Sequence, residues 1–187
     1  AVHFLALTKS FRTNKDSDVV KYNESFFQIF GDFSDNLGKK SSVNVNFSKT
    51  DGKKIFFNKV PLKKRIDIVG KIPVIVLSPS SQRITEGGPA GRRNFINRII
   101  AQIDRNYFAE LIEYRRRLAQ RNLILNSYRE KGKNSYNSYI ETHDELFAEN
   151  AKVIQSSRMN FIDQFNNIFK EKYNKISHIN RDLSIKI

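Results

Sequence analysis

The pattern of apolar and polar positions changes period once along the chain, and the change falls near Gly87. Before it, apolar residues come in short runs; after it they recur at spacings of three and four. Ala1 to Leu7 (AVHFLAL) predicts a short helix that begins without a cap. Thr8 to Asp18 is polar and basic and predicts a loop. Three β-rich runs follow, Phe26 to Phe33, Ser41 to Phe47 and Lys53 to Phe57, separated by NLGKK and KTDGK. The second separator holds the Asp-Gly pair of a tight hairpin, so the three runs predict an antiparallel meander. Leu62 to Val69 predicts a short helix. Pro73 to Leu77 (PVIVL) is a continuous apolar run of the kind buried on both faces of a sheet. It delivers the loop Ser78-Pro79-Ser80-Ser81 from the end of a core strand, a position that often carries function.

From Pro89 the periodicity is helical. Ile96, Ile99, Ile100, Ile103, Tyr107, Leu111, Tyr114, Leu118 and Leu125 form one stripe with a seam close to the coiled-coil repeat. The polar linker Gly132 to Ser138 (GKNSYNS) suits a turn. A second stripe then runs through Ile140, Phe147, Ile154, Phe161, Phe165, Ile168, Phe169, Tyr173 and Ile176. Two long stripes joined by a polar turn predict an antiparallel helical hairpin. The expected organisation is a sheet-bearing region over residues 1–86, a helical arm over 87–180, and the start of a strand over 181–187, where DLSIKI alternates without a visible partner. The fold class expected is α+β. Both ends read as interrupted elements.

Charge adds a functional expectation. The 187 residues carry 33 Lys+Arg against 19 Asp+Glu, a net charge of +14, which predicts an anionic partner, nucleic acid first among them. A merely soluble basic domain satisfies the same count. With no cysteine there is neither a disulfide framework nor a thiolate metal site, and His3, His143 and His178 are too scattered for metal-ligand spacing. No apolar stretch approaches the ~18 residues of a membrane span, and no signal-peptide pattern opens the chain. A cytoplasmic location is expected.

The candidate chemistry is basic. Gly87-Gly88-Pro89 leads into a helix whose first turns carry Arg92 and Arg93, so free backbone N–H groups lie near two guanidinium groups, a combination suited to phosphate. The same residues also read as a glycine turn, a proline at the first helical position and two solvated arginines. Arg115, Arg116, Arg117 and Arg121 place positive charge around much of one helix, more than Glu110 and Glu113 can absorb. They fit a surface tracking a DNA backbone, and equally the solvated face of a hairpin. Lys9, Arg12 and Lys15 cluster in the first loop, with Phe11 expected to anchor it while Arg12 points outward. Tyr107 and Tyr114, one heptad apart on the apolar stripe, are expected in the core rather than as base-stacking platforms. Absences narrow the field further. There is no GxxxxGK[ST] phosphate loop, no apolar strand ending in paired acids, and no Ser/His/Asp arrangement, so the chain by itself is not expected to hydrolyse a nucleotide.

These residues resemble the RecF family of bacterial recombination and replication-repair proteins, which have an ABC-type ATPase head. AVHFLALTKSFRT resembles the end of the helix after the phosphate loop together with the family's SFR segment. PVIVLSP resembles its buried strand and loop, and GGPAGRRNFIN its G-P-x-x-R-R-x-F-L-D signature. YFAELIEYRRRLAQRNLIL resembles its Y-x-x-x-L-x-x-Y-x-x-x-L-x-Q-R-N helix, and HDELFAENAKVIQSSRMNFI its W-D-x-x-L segment and the following R-x-x-F-I. Three places depart from the pattern. Ser80 and Ser81 stand where an acidic residue follows the proline, Asn97 where Asp is usual, and His143 where Trp is usual. The first weakens any role of that loop toward Mg²⁺; the other two are expected to alter packing or hydrogen bonding.

The resemblance implies the antiparallel β lobe of an ABC-type ATPase head followed by a long antiparallel helical hairpin arm, both internal to a longer protein. The phosphate loop would precede Ala1, and the ABC signature and catalytic acid would follow Ile187. It implies ATP and Mg²⁺ for the complete protein and no cofactor or metal held by this region alone. Implied partners are DNA, at gapped or single-strand/duplex junctions, RecR in the loading of RecA, and a second copy in an ATP-dependent homodimer. Lys9, Arg12, Arg92 and Arg93 are the leading phosphate-contact candidates, followed by Arg115, Arg116, Arg117 and Arg121. The alternative is a non-catalytic helical module that docks RecR or another protein partner.

Overall fold

The computed structural model describes residues 1–78, 81, 83–131, 137–178 and 184–185. The chain divides into two compact units, Ala1–Ser80 and Ser81–Ile187.

The first unit is a sheet covered on one face by a helix. Helix α1, Val2–Leu7, ends at Thr8, whose left-handed backbone (φ 52°) lets its N–H bond Phe4 O at 2.7 Å. Strands β1 (Phe26–Ser34), β2 (Lys40–Ser48), β3 (Gly52–Phe57) and the two-residue β4 (Val60–Pro61) pair antiparallel in chain order. The meander expected from the three β-rich runs is therefore present, with a fourth short strand added. Each reversal has a local cause. Asp35 Oδ1 accepts the N–H groups of Leu37 and Lys39, both at 2.9 Å. Gly52 takes φ +74° where β3 starts, directly opposite Ser48, a conformation costly for any residue with a Cβ. Asn58 and Lys59 both have positive φ, the geometry of a two-residue type I′ hairpin turn, and Asn58 Oδ1 also accepts Ser42 N–H at 2.8 Å.

Alternation then decides which face is buried. Phe27, Ile29 and Phe33 of β1, Val43 and Val45 of β2 and Ile55 of β3 pack with Phe4 and Leu5 of α1 and with Ile68. Gly31 lies in that row because a side chain there would collide with Leu5: an added Cβ would sit 2.6 Å from Leu5 Cδ1. Lys53 ties the loop to the helix, bonding Thr8 O at 2.7 Å and Asp16 Oδ2 at 2.6 Å beneath the ring of Phe4.

Two expectations in this unit are corrected. Pro73 to Leu77 is not a strand: it joins none of the ladders of the sheet, and Ile75 and Leu77 are 73% and 91% exposed. An apolar run becomes a central strand only when neighbours supply hydrogen bonds and cover both faces, and the four strands here are already paired in sequence order. Leu62 to Val69 forms only a three-residue 3-10 turn, Arg65–Asp67, closed by Asp67 accepting the N–H of Lys64.

The second unit is helical. After the single turn α2 (Arg83–Glu86) come α3 (Pro89–Ile103), α4 (Arg105–Lys131) and α5 (Asn137–Ser177). The stripe that predicted one helix from Pro89 onward is broken at Asp104, which leaves helical geometry and caps α4 by accepting Tyr107 N–H at 2.9 Å. The apolar spacing carries through the break, and that is why the pattern concealed it. Helices α4 and α5 form the expected antiparallel hairpin. Tyr114 stacks on Phe147 (centroids 5.0 Å apart), Glu110 accepts a hydrogen bond from Asn150, and Arg121 meets Asp144. Ile96, Ile100, Tyr107, Leu111, Ile154 and Ile162 make the core shared by α3, α4 and α5. The expected linker falls mostly at residues 132–136, outside the described residues, and its last two residues, Asn137 and Ser138, already belong to α5. Of the expected strand over 181–187 only 184–185 is described: Ile185 exchanges two hydrogen bonds with the Asn166 side chain, at 2.7 and 3.2 Å, and packs on the helical core.

Candidate nucleic-acid interface

The sequence offered eight basic candidates, and their surroundings separate them. Arg116 and Arg117 both turn to Glu113: Arg116 grips it with two N–H groups, and Arg117 Nε lies 3.1 Å from Oε1. These bonds hold the Glu113 carboxyl below its ordinary pKa. Arg121 is committed across the hairpin, with Nε 2.6 Å and Nη2 3.2 Å from the two oxygens of Asp144 and its guanidinium 5.9 Å from the Phe147 ring. The paired hydrogen bonds raise the Arg121 pKa and lower that of Asp144. Three of the four arginines of the YRRRLAQR segment are thus engaged by carboxylates. Arg115 is exposed and has no carboxylate partner among the described residues.

At the start of α3, Gly88 is the N-cap and Pro89 the first helical residue, as the GGP segment predicts. Arg92 folds back to donate to Gly87 O at 2.8 Å, an interaction that leaves its charge intact, and Arg93 is exposed with no ion-pair partner among the described residues. In the first loop Lys9 and Arg12 are both exposed. Lys9 O accepts from His3 Nδ1 at 2.8 Å, and Arg12 lies 5.6 Å over Phe11. Phe11 does not anchor the loop by burial as expected: it is 55% exposed and held edge-on by His3.

Sequence reasoning placed Tyr107 in the core, and it is there, 1% exposed. It did not single out the polar centre that Tyr107 joins. Tyr107 Oη donates to Asn97 Oδ1 at 2.6 Å, and Arg158 Nε donates to the same oxygen at 2.9 Å. Burial pushes the Tyr107 phenol up, with the nearby Arg158 charge opposing it. The signal was the departure at Asn97 itself, a polar residue on the apolar stripe of α3. Arg158 comes from a helix far along the chain, so spacing could not join them. Among the described residues no group of three or more His, Asp or Glu is placed to hold a metal. No helix of the described residues is long and apolar enough to cross a membrane.

A four-stranded antiparallel meander capped by a short helix, followed along the chain by a basic helical hairpin, defines an α+β protein. Comparison with known proteins gives the family. No family model matches the chain. Its sequence is 35% identical over 173 residues to the DNA replication and repair protein RecF of Prosthecochloris aestuarii, covering 92% of this chain and 46% of that protein. It is 33% identical over 179 residues to the protein of the same name from Salinibacter ruber, covering 96% and 43%. A solved structure of the recombination mediator protein RecF with ATP, in the RecFOR pathway, superposes with a TM-score of 0.84 at 29% identity, over 95% of this chain and 47% of that one. The chain belongs to the RecF family and spans about half the length of the curated relatives it matches.

Proposed function

We propose that this chain is the arm-bearing region of a RecF-type DNA replication and repair protein and that it contributes phosphate contacts to DNA binding. The observation that supports the reading is the division among the arginines: Arg92, Arg93 and Arg115 keep charge unspent on carboxylates, while Arg116, Arg117 and Arg121 are held by Glu113 and Asp144. Phosphate contact rewards unspent cations, because each phosphate neutralised releases condensed counterions. Arg92, Arg93, Arg115 and Arg12 therefore lead the proposed contacts, with Lys9 beside Arg12. In the complete protein we place these contacts next to an ATP- and Mg²⁺-dependent dimer that acts at gapped or single-strand/duplex junctions and works with RecR in loading RecA. The chain itself is proposed to carry no nucleotide turnover.

The test is a salt titration of binding to duplex and gapped oligonucleotides by fluorescence anisotropy. Affinity is expected to fall linearly on logarithmic axes as salt rises, with a slope that counts the phosphates neutralised. Failure of both DNAs to bind at low salt rejects the reading. Nucleotide hydrolysis by the purified chain rejects its non-catalytic part.

A second reading has its own observation. Ile112 and Leu123 of α4 and Leu146 and Val153 of α5 are exposed on the hairpin. Apolar residues in such number on a helical arm suit a protein partner such as RecR. Salt-insensitive binding of RecR, lost on changing Leu123 and Leu146 to Ser, supports this reading over the first.

A further inference from the structure

The face of the sheet turned away from α1 carries residues that the core does not use. By register, Phe30, Asn44 and Phe56 form one cross-strand row, Gln28, Asn46 and Lys54 the next, and Phe26 and Ser48 the one beyond. Phe26 and Phe30 are 59% and 60% exposed, and Gln28 Nε2 donates to Asn44 Oδ1 at 3.3 Å between them. Lys54 is exposed and has no ion-pair partner among the described residues. At the Phe26 end, Ser25 and Lys49 lead into a cleft of about 540 Å³ lined also by Lys21 and the 89%-exposed Tyr22. Asp32 closes the opposite end of β1, on the same face.

Single exposed phenylalanines are ordinary. Two on one strand and one face, with a third in register, amide side chains between them and lysines around them, make a patterned surface. An apolar peptide would not use the lysines, and a phosphate backbone alone would not use the rings. Duplex DNA keeps its bases stacked against one another, so exposed rings can only meet bases that are unpaired. Phe26 and Phe30 lie four residues apart on an extended strand, about 14 Å, too far for two neighbouring bases in duplex stacking and suited to a splayed single strand. Cations run along the face, with Lys54 and the Lys21/Lys49 cleft toward Phe26 and the exposed Lys40 beyond Asp32, so a backbone can follow them past the rings.

We propose that this face of the sheet is a stacking platform for the unpaired bases of single-stranded DNA. It rests on the DNA-binding reading above and deepens it by naming a second contact, made to bases rather than phosphates. The experiment compares the 187-residue chain binding to labelled oligothymidylate and to an abasic strand of equal length and charge. The wild-type chain is expected to prefer the base-bearing strand by ~10-fold or more. Phe26→Ala with Phe30→Ala should remove that preference while leaving abasic-strand and duplex binding within about twofold, and Lys54→Ala should weaken both strands together. The two phenylalanines are exposed, so an unchanged urea midpoint verifies that the sheet is intact. Equal binding of the two strands by the wild-type chain overturns the platform. If both still bind with salt dependence, the phosphate-contact reading survives, and if neither binds, both readings fail. Retention of the preference in Phe26→Leu with Phe30→Leu would overturn ring stacking and identify the face as an apolar docking surface.

Discussion

Arg158 donates its Nε–H to Asn97 Oδ1 at 2.9 Å, joining α5 to α3 across 61 positions of sequence. The same oxygen receives the Tyr107 hydroxyl, so one amide acceptor holds three helices at a single point. Removing it leaves the Tyr107 hydroxyl, on a residue 1% exposed, and one Arg158 N–H without that acceptor. Asn97→Ala is expected to destabilise the helical unit by about 1–3 kcal/mol, measured by urea unfolding followed by circular dichroism. Asn97→Asp keeps both bonds and adds a carboxylate beside Arg158. It is expected to unfold closer to wild type than the alanine variant does, and to gain a loss of stability below about pH 4 from that new carboxylate.

The Arg121–Asp144 pair predicts acid behaviour. The Asp144 carboxyl is held below its ordinary pKa first by hydrogen bonds from Arg121 and then by the Arg121 and His143 charges. A depressed carboxylate contributes stability above its unfolded pKa and loses that contribution as pH falls through the folded value. The melting temperature of the wild-type chain is expected to drop as pH is lowered below about 4, and Asp144→Asn should flatten that part of the profile. A double-mutant cycle with Arg121→Ala should show coupling between the two positions. Additive effects would mean that the pair contributes nothing across the hairpin.

Charge already committed to a carboxylate should matter less to DNA than charge that is not. Arg93→Ala and Arg115→Ala are each expected to reduce the salt slope of duplex binding by about 1. Arg121→Ala should leave the slope nearly unchanged while lowering thermal stability. The reverse ranking in anisotropy titrations would show that the ion pairs open on DNA.

Gly31 tests the packing of the sheet against α1. An added Cβ would lie 2.6 Å from Leu5 Cδ1, and Leu5 is buried, so the two side chains must shift apart. Gly31→Ala is expected to cost about 1–3 kcal/mol in urea unfolding, as overpacking of a filled core does. Leu5→Ala in the same chain should recover part of that loss, since it opens space for the new methyl.

The local periods of the sequence determined a good deal. Alternation over Phe26 to Phe33, Ser41 to Phe47 and Lys53 to Phe57 carried the meander, because a period of two has one buried face whatever surrounds it. Three-and-four spacing carried the helices, and the signature around Arg92 and Arg93 carried the family. Tertiary structure decided what depends on contacts between distant residues. Whether PVIVL is a strand depends on a neighbouring strand to form a ladder with it, and none of β1 to β4 takes that place. Asp104 interrupts a stripe that never loses its apolar spacing, because the cap is a side-chain bond to Tyr107 N and not a change of period. The arginines could be counted in the sequence but not apportioned. Arg121 is spent on Asp144 and Arg158 on Asn97 because the antiparallel register of α4 and α5 and the turn of α3 onto them bring those groups within hydrogen-bond reach, and that reach exists only in three dimensions.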